Sequence, residues 1–212
     1  MERRFFRLGI DVDVAGRWYL AEPTLLTGQE LEDVWEFSYG RPVDIRERLR
    51  VPIDRPGTPL DFDTAGVGQV PIVNARVASV FREMASSDVQ LIPVEVQGQA
   101  EPYYLVNVAR TVRCIDEKAC AEVLLYSAED GRPERVGEYR SVIGLRIDES
   151  KVGNARVFRI WGWPPPVIVA QEIKTALERT GAVGGRFDEV SGSIGPDLDG
   201  IGMGDRVVEP HE

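Results

Sequence analysis

The sequence predicts an α+β fold: a single domain built on a largely antiparallel sheet, with two main helices and a flexible C-terminal tail. Segments with strand-like apolar spacing outnumber helical ones, and most of them follow one another without an intervening helix. Only two segments place apolar residues at helical spacing. The length of 212 residues fits one domain that removes roughly 70% of the unfolded chain's surface from water.

The N-terminal part of the chain contains three predicted strands. Residues 3–12 and 17–20 have strand-like composition, and the turn-forming segment 11–16 lies between them. Residues 43–53 form the third predicted strand, because prolines flank this segment on both sides.

The first helix is predicted over residues 74–85. Asn74 can cap it, and Val77, Val80, Phe81 and Met84 fall on one face at helical spacing. We therefore expect Phe81 to face the core.

Residues 88–116 carry the densest strand signal in the chain. Val, Ile, Leu and Tyr recur at strand-like spacing around a break at 98–102. This pattern predicts two or three neighbouring strands that end near Cys114 to Asp116.

The C-terminal part continues with strands and then the second helix. Residues 121–127 and 139–147 predict two strands joined by a turn, and residues 156–161 predict another. Three consecutive prolines at 164–166 require an extended approach to the apolar residues 167–169. The second helix is predicted over 170–180, with Leu177 on its apolar face and Gly181 as its stop.

The composition changes at Ser191, which divides the chain into two predicted regions. Residues 1–190 form the domain, whereas residues 191–212 are rich in glycine and aspartate and contain only isolated apolar residues. Such a segment buries too little surface to offset the entropy of ordering it. The second region is therefore predicted to be a flexible tail.

The composition also limits the partners and the compartment. A formal net charge of −10, from 25 basic and 35 acidic residues, argues against nucleic acid as a ligand. No run of residues is long and apolar enough for a membrane span or a signal peptide. Cys114 and Cys120 do not form a disulfide framework, which suits a reducing compartment. The sequence predicts a cytoplasmic protein with neither a nucleic-acid nor a membrane partner.

The residues for most kinds of catalysis are missing from the predicted domain. The single histidine is His211 in the predicted tail, and the five residues between Cys114 and Cys120 do not match zinc-ligand spacing. We therefore expect no metal site, no cofactor site and no histidine-dependent catalysis. Paired carboxylates such as Asp61 and Asp63 are the one remaining route to acid/base chemistry, although aspartate is common wherever strands end.

Several short motifs, taken in order along the chain, resemble a known family. The central motif comprises residues 90–94, 103–107 and 114–116; the N-terminal ones are 16–18, 35–37, 40–42, 57 and 60–62; the C-terminal ones are 157–160, 167–169, 172–174, 177–178 and 185–190. Together they cover about residues 1–190. The chain is similar to an immunity-protein family of bacterial polymorphic-toxin and type VI secretion loci, the eleventh-numbered, myxobacterial-type immunity family.

This resemblance implies a non-enzymatic immunity protein that binds and neutralises one cognate toxin, encoded nearby, in the bacterial cytoplasm. The candidate residues for toxin binding are Asp116, Glu117, Glu129, Asp130 and Trp163. The acidic side chains would face a basic toxin surface, and Trp163 lies in a glycine- and proline-rich segment that is typical of a surface loop. Solvated turns explain the four acidic residues equally well.

Two other functions remain open from the residues alone. One is a small carboxylate-dependent hydrolase, and the other is an adaptor protein without a toxin partner. The oligomeric state does not follow from the sequence.

Overall fold

The structure, a computed structural model, describes residues 3–192, which form fifteen strands and two α-helices. The strands are β1 (Phe5–Ile10), β2 (Tyr19–Leu20), β3 (Thr24–Leu25), β4 (Leu49–Val51), β5 (Ile53–Arg55), β6 (Phe62–Ala65), β7 (Val70–Asn74), β8 (Val89–Val96), β9 (Tyr103–Val108), β10 (Thr111–Val112), β11 (Glu122–Leu125), β12 (Tyr139–Ile143), β13 (Val157–Ile160), β14 (Trp163–Ala170) and β15 (Gly185–Glu189). The helices are α1 (Ala75–Met84) and α2 (Gln171–Arg179). This arrangement confirms the predicted α+β class.

The strands form two large sheets and one separate hairpin. An eight-stranded sheet has the order β3-β4-β8-β9-β7-β6-β2-β5, and a five-stranded sheet has the order β10-β13-β14-β1-β15. The hairpin consists of β11 and β12. Most pairs are antiparallel, as predicted, and the parallel pairs are β10 with β13, β2 with β6 and β4 with β8.

Both helices belong to the central core, which also contains side chains from both large sheets. Asn74 caps α1 as predicted, because its side-chain oxygen accepts a 3.1 Å hydrogen bond from the backbone N–H of Val77. Phe81 on α1 and Leu177 on α2 are buried in this core together with Phe6 of β1 and Val106 of β9. The helices therefore join the two sheets into one domain.

Each large sheet also contributes its other face to a core of its own. Trp18, Phe37 and Leu60 are buried against the eight-stranded sheet. On the five-stranded sheet, side chains such as Phe158 and Ile168 pack with Tyr139 and Val142 of the β11–β12 hairpin. Because β13 and β14 are buried on both faces, their sequences are almost continuously apolar. The hairpin thus lies on the outer side of the five-stranded sheet.

The predicted strand over residues 43–53 is wrong in its first half. The backbone N–H of Val43 donates to the side-chain oxygen of Gln90 (2.8 Å), and the Gln90 amide nitrogen donates to the Val43 carbonyl (3.1 Å). A side chain therefore satisfies backbone groups that a strand would otherwise pair. Pro52 then separates β4 from β5, because proline has no N–H to donate.

The three prolines at 164–166 lie inside β14, where the pairing with β13 is irregular between Arg159 and Ile160. Arg159 is buried, and its guanidinium donates to the carbonyls of Pro164 (2.7 Å), Pro165 (3.0 Å) and Phe37 (3.3 Å). Burial lowers the pKa of Arg159 to about 10, which still leaves it charged at neutral pH. Arg159 thereby holds the segment around Phe37 against the bulge in β14.

Of the segment predicted as a tail, the structure describes only Ser191 and Gly192. Ser191 is buried, and its hydroxyl accepts a 2.8 Å hydrogen bond from the backbone N–H of Phe5. The prediction for the remainder of 191–212 lies outside the described residues. No helix within residues 3–192 has the length and apolar character needed to cross a bilayer.

Candidate partner-binding surface

The β11–β12 hairpin presents one face to the protein and the other to solvent. Val123 pairs with Val142 on the inner face, where both pack into the core of the five-stranded sheet. Tyr139, the first residue of β12, is also buried there. A hairpin of two strands is marginally stable alone, so this packing holds the outer face in place.

The outer face and the adjoining connection expose a concentration of large apolar side chains. These are Leu124 (44% exposed), Leu125 (45%), Val136 (51%) and Ile143 (48%). Leu124 pairs with Ser141 and lies diagonally from Ile143 on the same face, so the two side chains can form one patch. Grouped exposed apolar side chains of this kind mark interaction sites more often than isolated ones do.

The candidates Asp116 and Glu117 lie in the turn that precedes the hairpin. Asp116 accepts hydrogen bonds from the backbone N–H groups of Lys118 (3.1 Å) and Ala119 (3.3 Å), so it stabilises the turn. Glu117 is exposed, but one of its carboxylate oxygens accepts a 2.8 Å hydrogen bond from the Tyr139 hydroxyl. Both residues therefore have a local structural role beside any contact with a partner.

The candidates Glu129 and Asp130 lie in the connection between β11 and β12. Asp130 accepts hydrogen bonds from the backbone N–H (2.7 Å) and the hydroxyl (2.8 Å) of Ser127, and it forms a 2.6 Å ion pair with Arg140. The hydrogen bonds from Ser127, together with Arg140, lower the pKa of Asp130. Glu129 is exposed and makes no ion pair with a described residue. Glu129 is therefore the more available charge.

Trp163, the aromatic candidate, lies in β14 rather than in a surface loop. It pairs with Ile160 and is partly buried against the same core as Tyr139. Trp161 is the more exposed neighbour, at 37%, and the Arg113 guanidinium lies 4.2 Å from the centre of its ring. Tyr139 connects the hairpin to this region, because its backbone N–H donates to the Gly162 carbonyl (3.0 Å).

The structure therefore places four of the five candidates on or beside the hairpin and Trp163 on the strand beneath it. The sequence did not identify the exposed apolar residues or Trp161. The adjacent pair Leu124 and Leu125 could have indicated an apolar side chain on the outer face, because a strand with one buried face normally alternates apolar and polar residues. Their exposure depends on the irregular pairing between them, which the sequence does not reveal.

Acidic side chains slightly outnumber basic ones around the hairpin. Asp130 pairs with Arg140, and Glu138 pairs with Arg135 at 3.1 Å. The side chains of this region that make no ion pair with any described residue are the acidic Asp116, Glu117, Glu122, Glu129 and Glu134 and the basic Arg113, Lys118, Arg132 and Arg146. The patch thus combines an apolar centre with a charged periphery in which acidic side chains slightly outnumber basic ones.

The carboxylates considered for catalysis are engaged elsewhere. Asp61 pairs with Arg76 (2.9 Å) and accepts a hydrogen bond from the backbone N–H of Val183 (2.8 Å). Asp63 is buried, accepts a hydrogen bond from the backbone N–H of Thr64 (2.7 Å) and lies 3.5 Å from the Arg17 guanidinium. Burial raises the pKa of Asp63 to about 6.

Thiols, metal ligands and the histidine are the other groups that could support catalysis. Cys114 and Cys120 are free thiols, and burial raises the pKa of Cys114 to about 12. Residues 3–192 contain no cluster of three or more His, Cys, Asp or Glu side chains suited to a metal ion. His211 lies outside the described residues.

The model of a family described as Immunity protein family (Imm11) matches residues 6–192, a range that includes both sheets, both helices and the hairpin. None of the curated proteins matches the chain.

Proposed function

Because the chain belongs to the Immunity protein family (Imm11), we propose that it binds one cognate toxin and neutralises it by covering a surface that the toxin needs. The observation that carries this proposal is the family match over residues 6–192. We further propose that this toxin belongs to a polymorphic-toxin or type VI secretion locus and that its gene lies nearby. The chain would act in the bacterial cytoplasm.

The proposed contact surface is the outer face of the β11–β12 hairpin. Its four exposed apolar side chains supply a surface that loses contact with water when a partner binds, and such burial drives most protein association. The surrounding carboxylates, among them Asp116, Glu117 and Glu129, favour a partner with a basic surface. Trp163 lies on the adjoining strand β14, and Trp161 lies in the turn that precedes it.

Binding without catalysis agrees with the internal engagement of the carboxylates. Asp61 is held by Arg76 and Val183, and Asp63 is buried. A general acid or base must reach the proton that it transfers, so a carboxylate in solvent or in a cleft suits that role better than Asp63 does. Cytoplasmic action is supported by the two free thiols, which match a reducing compartment.

A co-purification experiment tests the proposal. The toxin-domain protein encoded beside this chain is expressed in an inactive form with an affinity tag, together with the untagged full-length chain. We expect the two to elute as one complex of defined stoichiometry in size-exclusion chromatography. Separate elution of the two folded proteins at micromolar concentration would overturn the proposal.

A further inference from the structure

The β11–β12 hairpin has an open edge. Within residues 3–192, β11 pairs with β12 alone, so its second edge has no strand partner. β11 contains neither lysine nor proline, and its sequence Glu-Val-Leu-Leu carries a single charge. An exposed edge strand with apolar side chains is a template for pairing with another chain.

The edges at β3, β5 and β15 are covered or charged. At β5, the backbone N–H of Ile53 donates to the side-chain oxygen of Gln97 (3.2 Å). At β3, a local turn after Leu25 returns the chain onto the strand. At β15, Arg186 and Asp188 form an ion pair at 3.2 Å. These features are common protections against edge-to-edge pairing, and they distinguish these three edges from the open edge of β11.

The charges around this edge indicate the chemistry of a partner. Glu122 lies on β11 itself and is exposed, directly across from Ile143. Glu122, Glu129 and Glu134 make no ion pair with a described residue, and the whole chain has a formal net charge of −10. A second copy of the chain would bring like charges together, whereas a basic segment would be attracted.

Resting on the proposed function, we propose that an extended, basic segment of the toxin adds as a strand to the open edge of β11. Backbone hydrogen bonds to β11 would supply affinity, and alternate apolar side chains of the segment would pack on Leu124, the outer-face apolar residue of β11. Basic side chains of the segment would lie beside Glu122. The hairpin would thereby become a three-stranded sheet that includes one strand of the toxin.

Hydrogen exchange of the complex tests this mode of binding. The probe is the inactive toxin-domain protein encoded beside this chain, mixed with the full-length chain. We expect exchange of the backbone amides of residues 122–125 to slow by about tenfold or more on binding, while those of β15 change little. Binding without slower exchange at 122–125 would overturn the edge pairing and leave the proposed function intact. Absence of binding would overturn both.

Matched substitutions provide a second readout. Leu124→Lys places a positive charge on the proposed docking strand, and Val12→Lys makes the same change at an exposed apolar residue (61%) outside the hairpin. We expect Leu124→Lys to weaken toxin binding by about tenfold or more and Val12→Lys to leave it unchanged. Melting temperatures of both variants serve as the folding control. Equal affinities of the two folded variants would overturn the proposal.

Self-association provides the last discriminating outcome. Sedimentation of the chain alone should show no growth in size with concentration, because like charges surround the edge. Concentration-dependent assembly that Leu124→Lys abolishes would identify a second copy as the occupant of the edge and would overturn the assignment to a toxin segment.

Discussion

The hydroxyl of Tyr139 donates a 2.8 Å hydrogen bond to a carboxylate oxygen of Glu117, which joins the turn before β11 to the first residue of β12. The Tyr139 ring is buried in the core of the five-stranded sheet. Burial, together with the bond to Glu117, raises the pKa of Tyr139 to about 12, so the hydroxyl remains a donor at physiological pH. Tyr139 thus helps to anchor the candidate surface to the fold.

Tyr139→Phe removes this hydrogen bond and keeps the ring. We expect a loss of about 1.5–3 kcal/mol in the free energy of unfolding, as is usual for a hydrogen bond to a charged group. Urea denaturation measures this loss. In a double-mutant cycle with Glu117→Ala, the two losses should be less than additive, because each change removes the same bond. Additive losses would show that the bond does not contribute to stability.

We predict that the buried Asp63 makes the free energy of unfolding depend on pH. Its pKa is raised by burial to about 6 from an ordinary value of 3.8, so the folded state binds a proton at this carboxyl more tightly than the unfolded state does. The stability that this group contributes is present below about pH 4 and is lost as the pH rises through about 6, by an amount on the order of 2–3 kcal/mol. We expect Asp63→Asn to remove this component from unfolding curves measured between pH 4 and 7. Parallel pH profiles for parent and variant would contradict the assignment.

The central core, which contains Phe81 and Leu177, is predicted to contribute strongly to the free energy of unfolding. Each is at most 5% exposed, and each lies on the inward face of its helix. Phe81→Ala and Leu177→Ala should each cost about 2–5 kcal/mol in the free energy of unfolding, through lost burial and cavity formation. Val183→Ala, at a residue that is 50% exposed, should cost far less. Chemical denaturation of the three variants tests the difference.

The acidic periphery predicts an effect on association kinetics. We expect replacement of Asp116, Glu117, Glu129 and Asp130 by their amides to slow toxin association and flatten its salt dependence, with little change in dissociation. The structure adds that Glu117 and Asp130 also have internal partners, so the stability of the variant must be measured alongside.

A control for this experiment removes the same number of charges elsewhere, at Asp13, Asp54, Glu83 and Glu101, all of which are exposed. We expect a much smaller effect on association from the control set. An equal slowing by both sets would show that the net charge acts without a localised surface. Faster dissociation of the first variant alone would instead identify one of its carboxylates as a buried contact.

The sequence predicted the regular elements well because their signals are local. The Asn74 cap and the spacing of Val77 and Phe81 define α1 within a few residues, and the structure confirms both. The extent of β4 depended on contacts distant in sequence. Gln90 binds the backbone of Val43, 47 positions away in the sequence, and no local pattern reveals such a bond.

The candidate surface was only partly predictable, for the same reason. Charged turns are visible in a sequence, so the acidic residues of the hairpin were found. The exposure of Leu124 and Ile143 depends on which face of the hairpin packs on the five-stranded sheet, and that packing involves Phe158 and Ile168 far along the chain. Trp161 lies in the turn between β13 and β14, whereas Trp163 is the first residue of β14 and packs partly into the core.

The most direct test of toxin neutralisation is a growth measurement. A bacterial host carries the active toxin encoded beside this chain under one inducible promoter and the full-length chain under another, with an unrelated immunity protein as the control. We expect growth to stop when the toxin is induced alone or with the control, and to resume when this chain is produced with it. Growth arrest that persists despite soluble, folded expression of this chain would contradict the proposed neutralisation.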